Sequence, residues 1–282
     1  MVVPLALVAF AGNSLLCRRA LGTGAIDPGA FTLIRLLSGA LTLALLARGR
    51  RTNDPPREIG QWPGAVGLFL YAAAFSFAYV RLPAGVGALV LFAATQVTMI
   101  GWGIHRGDRL GGWESFGIVV ALAGLVGLAA PGHSAPDGVG VVLMVVAGMA
   151  WGAYSLLGRS ATNAIGANAS AFARAVVPAV LLVLAPWTSH TLTSEGVLLA
   201  VVSGAVTSGL GYALWYTALP HLTRTHAAAI QLTVPVIAAV AGVLLLGEAM
   251  TARLAVAGAV ILAGVATSVF RTARTVVEDG SS

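Results

Sequence analysis

The chain has 282 residues, of which 58% are hydrophobic and only 9% are charged. A soluble domain carries roughly 25% charged residues, so this composition excludes an ordinary water-facing surface. The net charge of +6 comes from arginines scattered between apolar runs, and this pattern excludes the clustered basic face of a nucleic-acid-binding protein. Cys17 is the single cysteine, which excludes a disulfide framework and a cysteine-based metal site.

Long apolar segments follow one another from end to end, and short polar breaks separate them. A helix needs about 20 apolar residues to cross a bilayer, and a membrane barrel uses shorter, alternating strands. The predicted spans are 2–19, 28–47, 62–80, 83–105, 112–130, 138–158, 168–187, 195–216, 224–247 and 252–270. The sequence therefore predicts an all-α membrane protein with ten transmembrane helices.

The arginines predict the orientation of these spans. With the N-terminus inside, the inner loops and the C-terminal tail hold ten arginines, Arg48, Arg50, Arg51, Arg57, Arg106, Arg109, Arg159, Arg224, Arg271 and Arg274. The outer loops hold four, Arg18, Arg19, Arg81 and Arg253. Cytoplasmic loops carry the excess of basic residues in membrane proteins. We therefore expect both termini in the cytoplasm.

Several landmarks recur in the same order in the second half of the chain. The pairs, at offsets of 139 to 141 residues, are Ser14–Arg18 with Ser155–Arg159, Arg35 with Arg174, and Gly107–Asp108 with Gly247–Glu248. Chance similarity between apolar helices is the alternative. The pattern favours two repeats of five spans each, residues 1–137 and 138–282. Because five is odd, the second repeat enters the membrane inverted, as in many secondary transporters.

Five short motifs carry a resemblance to a known family. They are F-T-L-I-R at 31–35, G-D-R-L at 107–110, G-E-A-M at 247–250, and the segments A-L-A-G at 121–124 and I-L-A-G at 261–264. The chain resembles the EamA family of the drug/metabolite transporter superfamily, most of all the YddG-type bacterial amino-acid exporters. The resemblance implies a carrier in the bacterial inner membrane. Its cavity would be lined by spans one, three, four, six, eight and nine, with spans five and ten peripheral.

Polar side chains inside the spans are the first candidates for a binding site, because they face other helices or a water-filled cavity. Asn13, Gln96 and Gln231 either hydrogen-bond between helices or orient the ammonium and carboxylate of a zwitterion. Arg35 and Arg174 either fix the fold or clamp a substrate carboxylate.

Aromatic side chains are the second group of candidates. Tyr79, Trp151, Tyr154, Tyr212 and Trp215 lie within spans three, six and eight, where aromatic residues at helical spacing share a face. They form either a cavity wall or part of an interfacial belt. A mostly apolar pocket with a few polar groups suits amino acids of varied side chain.

Pro235 falls midway along span nine, where it is either a hinge or a static kink.

The predicted function is export of amino acids, including aromatic or other neutral ones, by alternating access. No Asp or Glu falls mid-span, which favours a facilitative carrier over a proton-coupled one. The alternative is export of another small metabolite or of a cationic drug. No catalytic motif is found, so we expect no enzyme activity, no cofactor and no metal. The expected partners are the amino-acid substrate and the lipid bilayer, but no nucleic acid, and a homodimer stays open.

Overall fold

The protein is a bundle of apolar helices in this computed structural model, which describes residues 2–48, 61–107, 111–130, 132, 135–158, 163–185, 191–218, 221–222 and 230–279, with side chains up to Ser268. The helices are α1 (Val2–Gly22), α2 (Pro28–Arg48), α3 (Trp62–Tyr79), α4 (Ala84–His105), α5 (Gly112–Ala129), α6 (Gly138–Gly158), α7 (Ala164–Val183), α8 (Ser194–Ala218), α9 (Thr233–Leu246) and α10 (Ala252–Asp279). The eight helices α1 to α8 are long and apolar enough to cross a membrane. α9 and the described part of α10 are shorter apolar helices.

The observed helices follow the predicted spans closely for α1 to α6. α7 begins four residues earlier than predicted, because Asn163 caps it by accepting a hydrogen bond from the Gly166 amide. α9 ends at Gly247, whose φ of 67° is a conformation that favours glycine. Of the repeat landmarks, Asp108 and Arg159 lie outside the described residues.

The distribution of side chains is the reverse of that in a soluble protein. Leu184, Leu244 and Val126 are each more than two-thirds exposed on the outside of the bundle. Arg35 and Asn168 are almost fully buried inside it. Apolar side chains outside and satisfied polar groups inside are what a hydrocarbon solvent requires.

Helices from the two halves of the chain pack against each other in pairs. α2 packs on α7, α4 on α9 and α5 on α10. α1 packs on α8 and on α9, while α6 packs on α3 and on α4. The α5–α10 contact lies beside the bundle and uses small residues, since a Cβ on Gly117 would lie 2.5 Å from the Gly264 carbonyl oxygen.

α6 approaches α4 equally closely. A Cβ on Gly148 would lie 2.5 Å from the Leu91 carbonyl oxygen, and one on Gly152 would lie 3.0 Å from Thr98 Cβ. These two glycines bring Trp151, which lies between them in sequence, to the centre of the bundle.

Candidate substrate cavity

A small cavity lies near the middle of helices α1, α3, α4, α6 and α8. Its lining residues are Phe10, Asn13, Ser14, Tyr71, Phe75, Leu91, Phe92, Trp151, Thr207, Tyr212 and Gln231. The volume of the cavity, counted as the space open to the centre of a water molecule, is about 20 Å³. A single water molecule needs about 10–15 Å³ of such space. The cavity therefore has room for about one water molecule, and a larger solute would fit only after its walls had moved apart.

Aromatic rings form one wall of the cavity, with Trp151 at their centre. The ring centre of Trp151 lies 5.0 Å from that of Tyr71 and 5.1 Å from that of Tyr212. Phe10 meets the edge of Tyr212 at 6.0 Å. These rings come from α1, α3, α6 and α8, so a change at Trp151 reaches four helices.

Part of α8 is wound as a π-helix, from Ser203 to Leu210, between two α-helical segments. Its sequence is S-G-A-V-T-S-G-L, and these mostly small side chains allow another helix to approach closely. π-helical turns are rare in proteins, and those that do occur are often found at functional sites. This segment brings the hydroxyls of Ser203, Thr207 and Ser208 against α1 and α2.

Asn13 joins the π-helical segment to the cavity. Its amide oxygen accepts hydrogen bonds from Ser203 Oγ at 2.7 Å and from Thr207 Oγ1 at 3.2 Å. Its Nδ2 donates to the Tyr71 hydroxyl at 3.4 Å. Because both ends of the amide are engaged, the side chain is held in one orientation.

Arg35 lies directly behind this wall and is only 1% exposed. Its Nε donates to Ser208 Oγ at 3.2 Å, and its Nη2 donates to the Tyr71 hydroxyl at 3.0 Å. The guanidinium carbon lies 5.1 Å from the ring centres of Tyr71 and Phe75. Within the described part of the chain, Arg35 Nη1 and the Tyr212 hydroxyl are buried without a hydrogen-bond partner.

An ion pair closes the bundle at the end where α1 finishes. Arg18 Nε donates to Glu248 Oε1 at 3.1 Å, and Arg18 Nη1 donates to the carbonyl oxygens of Tyr79 and Val80. The Glu248 carboxylate accepts from the Ala84 amide at 2.8 and 3.0 Å. The pair therefore holds together the ends of α1, α3 and α9 and the start of α4.

Comparison with known proteins identifies the family. The model of the EamA-like transporter family matches residues 138–270. An uncharacterized protein of Pseudomonas aeruginosa is 52% identical over 93% of this chain and 91% of its own length. The chain belongs to the EamA-like transporter family. Its membership makes it a multi-pass membrane transporter.

Two further similarities bear on this EamA-like protein. A probable terminal-alkyne amino-acid exporter of Streptantibioticus cattleyicolor is 25% identical over 83% of this chain and 81% of its own length. A solved crystal structure superposes with a TM-score of 0.67 at 21% identity, covering 95% of this chain and 96% of the other. The latter shows that the two chains share a fold.

The lining helices of this EamA-like transporter are those that the family resemblance implied, α1, α3, α4, α6 and α8 with Gln231 ahead of α9. Four of the eight predicted binding residues line the cavity, namely Asn13, Trp151, Tyr212 and Gln231. The other four, Tyr79, Gln96, Tyr154 and Trp215, are buried but lie outside its lining. A role in substrate binding stays a prediction for all eight.

The four residues outside the lining serve the fold or lie one layer back. Tyr79 donates its hydroxyl proton to the Ala84 carbonyl at 3.2 Å, and Tyr154 donates to Asn168 Oδ1 at 2.6 Å. Trp215 packs against Phe10 at 5.8 Å. Gln96 is buried in α4 at 5% exposure.

Arg174 and Pro235 were the remaining residues singled out from the sequence. Arg174 Nη1 bonds to Ser170, one turn earlier on its own helix. Pro235 is the third residue of α9, and residues 224–229 of the predicted span nine lie outside the described residues. In the first turn of a helix the N–H that proline lacks has no internal acceptor, so no hydrogen bond is lost there. A hinge role for Pro235 stays a prediction.

The hydroxyls of α8 are the group that sequence reasoning missed. Ser203, Thr207 and Ser208 have the short side chains expected of a helix contact, and none of them is among the predicted binding residues. The signal available in the sequence for a shared helix face was the spacing of these residues by about one helical turn. Their partners lie 173 to 194 residues away in the chain, so the sequence offered no way to choose them.

Proposed function

We propose that the protein is a carrier of the bacterial inner membrane that exports amino acids, including aromatic or other neutral ones, by alternating access. The observation that carries this proposal is the composition of the cavity wall. It combines aromatic rings with amide and hydroxyl groups, and the described residues that line it include no Asp or Glu. Such a wall suits a small zwitterion with a variable side chain. The amino-acid exporter among the relatives supports the same substrate class.

The positions of the described carboxylates disfavour the alternative function, a carrier of cationic drugs. Asp27, Glu114, Asp137, Glu195 and Glu248 all lie at helix ends, where they accept backbone hydrogen bonds or pair with arginine. A proton-coupled carrier of cations would need a carboxylate within the membrane. Their position favours facilitative transport down a gradient.

The pairing of helices supports a ten-span protein made of two inverted repeats, residues 1–137 and 138–282. A twofold relation between the repeats turns α1 into α6, α2 into α7 and so on. The observed contacts α1–α8, α1–α9 and α2–α8 then correspond to α6–α3, α6–α4 and α7–α3, which are also present. The pairs α2–α7, α4–α9 and α5–α10 lie on the axis of that relation.

The four predicted outer arginines support both the orientation and alternating access. Arg18 pairs with Glu248, Arg19 with Glu195 and Arg81 with Asp137, and Arg253 bonds to the Ala130 carbonyl. Each contact joins helix ends that belong to the same face in the ten-span orientation. These contacts close the predicted outer face, as one half of an alternating-access cycle requires.

Flux into proteoliposomes tests this function. We expect saturable uptake of labelled neutral amino acids without a proton gradient. Trp151→Ala should abolish that flux or change the order of preference, because Trp151 touches the rings on the cavity wall. Trp113→Ala is the matched control, since Trp113 lies half-exposed on α5 away from the cavity. No flux of any amino acid, or equal effects of the two variants, would contradict the proposal.

A further inference from the structure

Arg35 is a cation without a described anionic partner. The side chains that contact its guanidinium, Ser208, Tyr71 and Phe75, carry no negative charge. The described carboxylates are engaged at helix ends and none forms an ion pair with it. A charged side chain at the centre of a membrane helix costs roughly 2.5–3.5 kcal/mol on insertion scales. Two rings and two hydroxyls stabilise Arg35 in part, but they leave its charge uncompensated.

The hydrogen bonds around Arg35 leave donors unused. The Tyr71 hydroxyl accepts from both Asn13 Nδ2 and Arg35 Nη2, so both of its lone pairs are occupied and its own proton must be donated to another group. Arg35 Nη1 and the Tyr212 hydroxyl, each at least 97% buried, have no partner among the described residues. Two unpartnered donors therefore accompany the buried positive charge, and Tyr71 and Tyr212 both line the cavity.

We propose that this cluster, Arg35 with the hydroxyls of Tyr71 and Tyr212, is the site that selects the carboxylate of the substrate. Tyr71 and Tyr212 line the cavity and donate to the carboxylate, while Arg35 compensates its charge from behind them. A carboxylate is an acceptor-only group with a negative charge, so it complements unused donors and an unpaired cation. An ammonium group complements neither. This inference rests on the proposed function in taking the cavity as the substrate site.

The consequence is a rule of selectivity. A ligand that keeps the carboxylate and lacks the ammonium binds, and a ligand that keeps the ammonium and lacks the carboxylate does not. The ammonium of an amino acid is then held by the faces of the aromatic wall. The carboxylate is the required group, and the side chain is variable.

Binding to the purified protein in nanodiscs tests the rule with matched probes. We would titrate phenylalanine, 3-phenylpropionate and phenethylamine, and in parallel leucine, 4-methylpentanoate and isopentylamine, and follow binding by calorimetry. In the wild type, we expect each acid to bind within about tenfold of its amino acid, and each amine to bind at least tenfold more weakly. Amines that bind as well as the acids, or acids that do not bind, would overturn the proposal.

Two variants and a control separate recognition from folding. Arg35→Gln should weaken acid binding about tenfold or more and leave the amines unchanged, because it removes the positive charge that compensates the carboxylate. Tyr212→Phe removes only the unpartnered hydroxyl, so it should fold normally and weaken acid binding several-fold. Arg174→Gln, at the matched position of the second repeat, should bind acids as the wild type does. Unchanged acid binding in Tyr212→Phe and in a folded Arg35→Gln would overturn the proposal.

The outcomes distinguish this inference from the proposed function. If amino acids are transported but amines bind as tightly as acids, the carboxylate rule is refuted and amino-acid transport is retained. Acid binding that depends on Arg35 without amino-acid flux would do the reverse. An ordinary structural role for Arg35 would lower the stability of its variants without moving the ratio of acid to amine affinity.

Discussion

Glu248→Gln opens the end of the protein where α1 finishes. The substitution removes the negative charge from a pair whose side chains are only 26% and 14% exposed. It leaves Arg18 partly buried and unpaired, and it weakens the bonds that hold the start of α4. Loss of one partner from a desolvated charge pair costs about 2–5 kcal/mol, and each 1.4 kcal/mol changes a population about tenfold. The closed state should therefore lose at least tenfold in population.

A cysteine below the ion pair reports this opening. Ser14 lines the cavity one turn before Arg18 on α1, so Ser14→Cys in a Cys17→Ala background places a single thiol there. Its labelling by a membrane-impermeant reagent should accelerate at least tenfold with Glu248→Gln. The acceleration should appear in the vesicle orientation that exposes the predicted outer face.

A second ion pair at the same end provides the control for the gate. Arg19 and Glu195 are each about half exposed, and exposed pairs contribute about 0–1 kcal/mol. Glu195→Gln should leave the labelling rate unchanged. Equal acceleration by the two variants, or none by Glu248→Gln, would show that the Arg18–Glu248 pair does not hold this end closed.

Gly204→Ala separates α8 from α2. A Cβ at Gly204 would overlap Ser38 Oγ and the backbone carbonyl oxygen of Arg35, and a carbonyl cannot turn aside as a side chain can. Overpacking of this kind costs about 1–3 kcal/mol. In a chain of this size we expect the thermal midpoint of the solubilised protein to fall by about 3–10 °C. The π-helical hydroxyls should also lose their contacts with Asn13 and Arg35.

Gly127→Ala is the matched control for the packing prediction. Gly127 lies within α5, and no atom lies within 4 Å of the position that its Cβ would take. Alanine has the higher helix propensity, so this variant should be neutral or slightly more stable. A Gly204→Ala protein with an unchanged thermal midpoint would refute the close crossing of α8 over α2.

The bilayer explains why so much of the fold could be read from the sequence. An apolar thickness of about 30 Å imposes runs of about 20 apolar residues, and polar breaks mark their ends. The bounds of α1 to α6 were therefore predictable within a few residues. α7 was less so, because Asn163 caps it within a polar break, four residues before the predicted start.

The candidate site was predictable only in part. Periodicity placed Trp151 and Tyr212 on helix faces, and rarity marked Asn13 and Arg35 as polar groups inside spans. Each of these inferences used the sequence of a single helix. Periodicity does not say which faces meet, so Tyr79 and Tyr154 were grouped with the cavity although their hydroxyls bond to Ala84 and Asn168 outside its lining.

The sequence by itself determined the class of the molecule, its apolar helices and the exclusion of acidic residues from the spans, because each follows from local composition in a hydrocarbon solvent. Its short motifs carried the family resemblance. Only the tertiary structure decided the contacts that give the site its chemistry. Arg35 meets Ser208 across 173 residues, and Arg18 meets Glu248 across 230. The π-helical winding of α8 and the unused donors beside the cavity depend on those distant contacts, which no local pattern encodes.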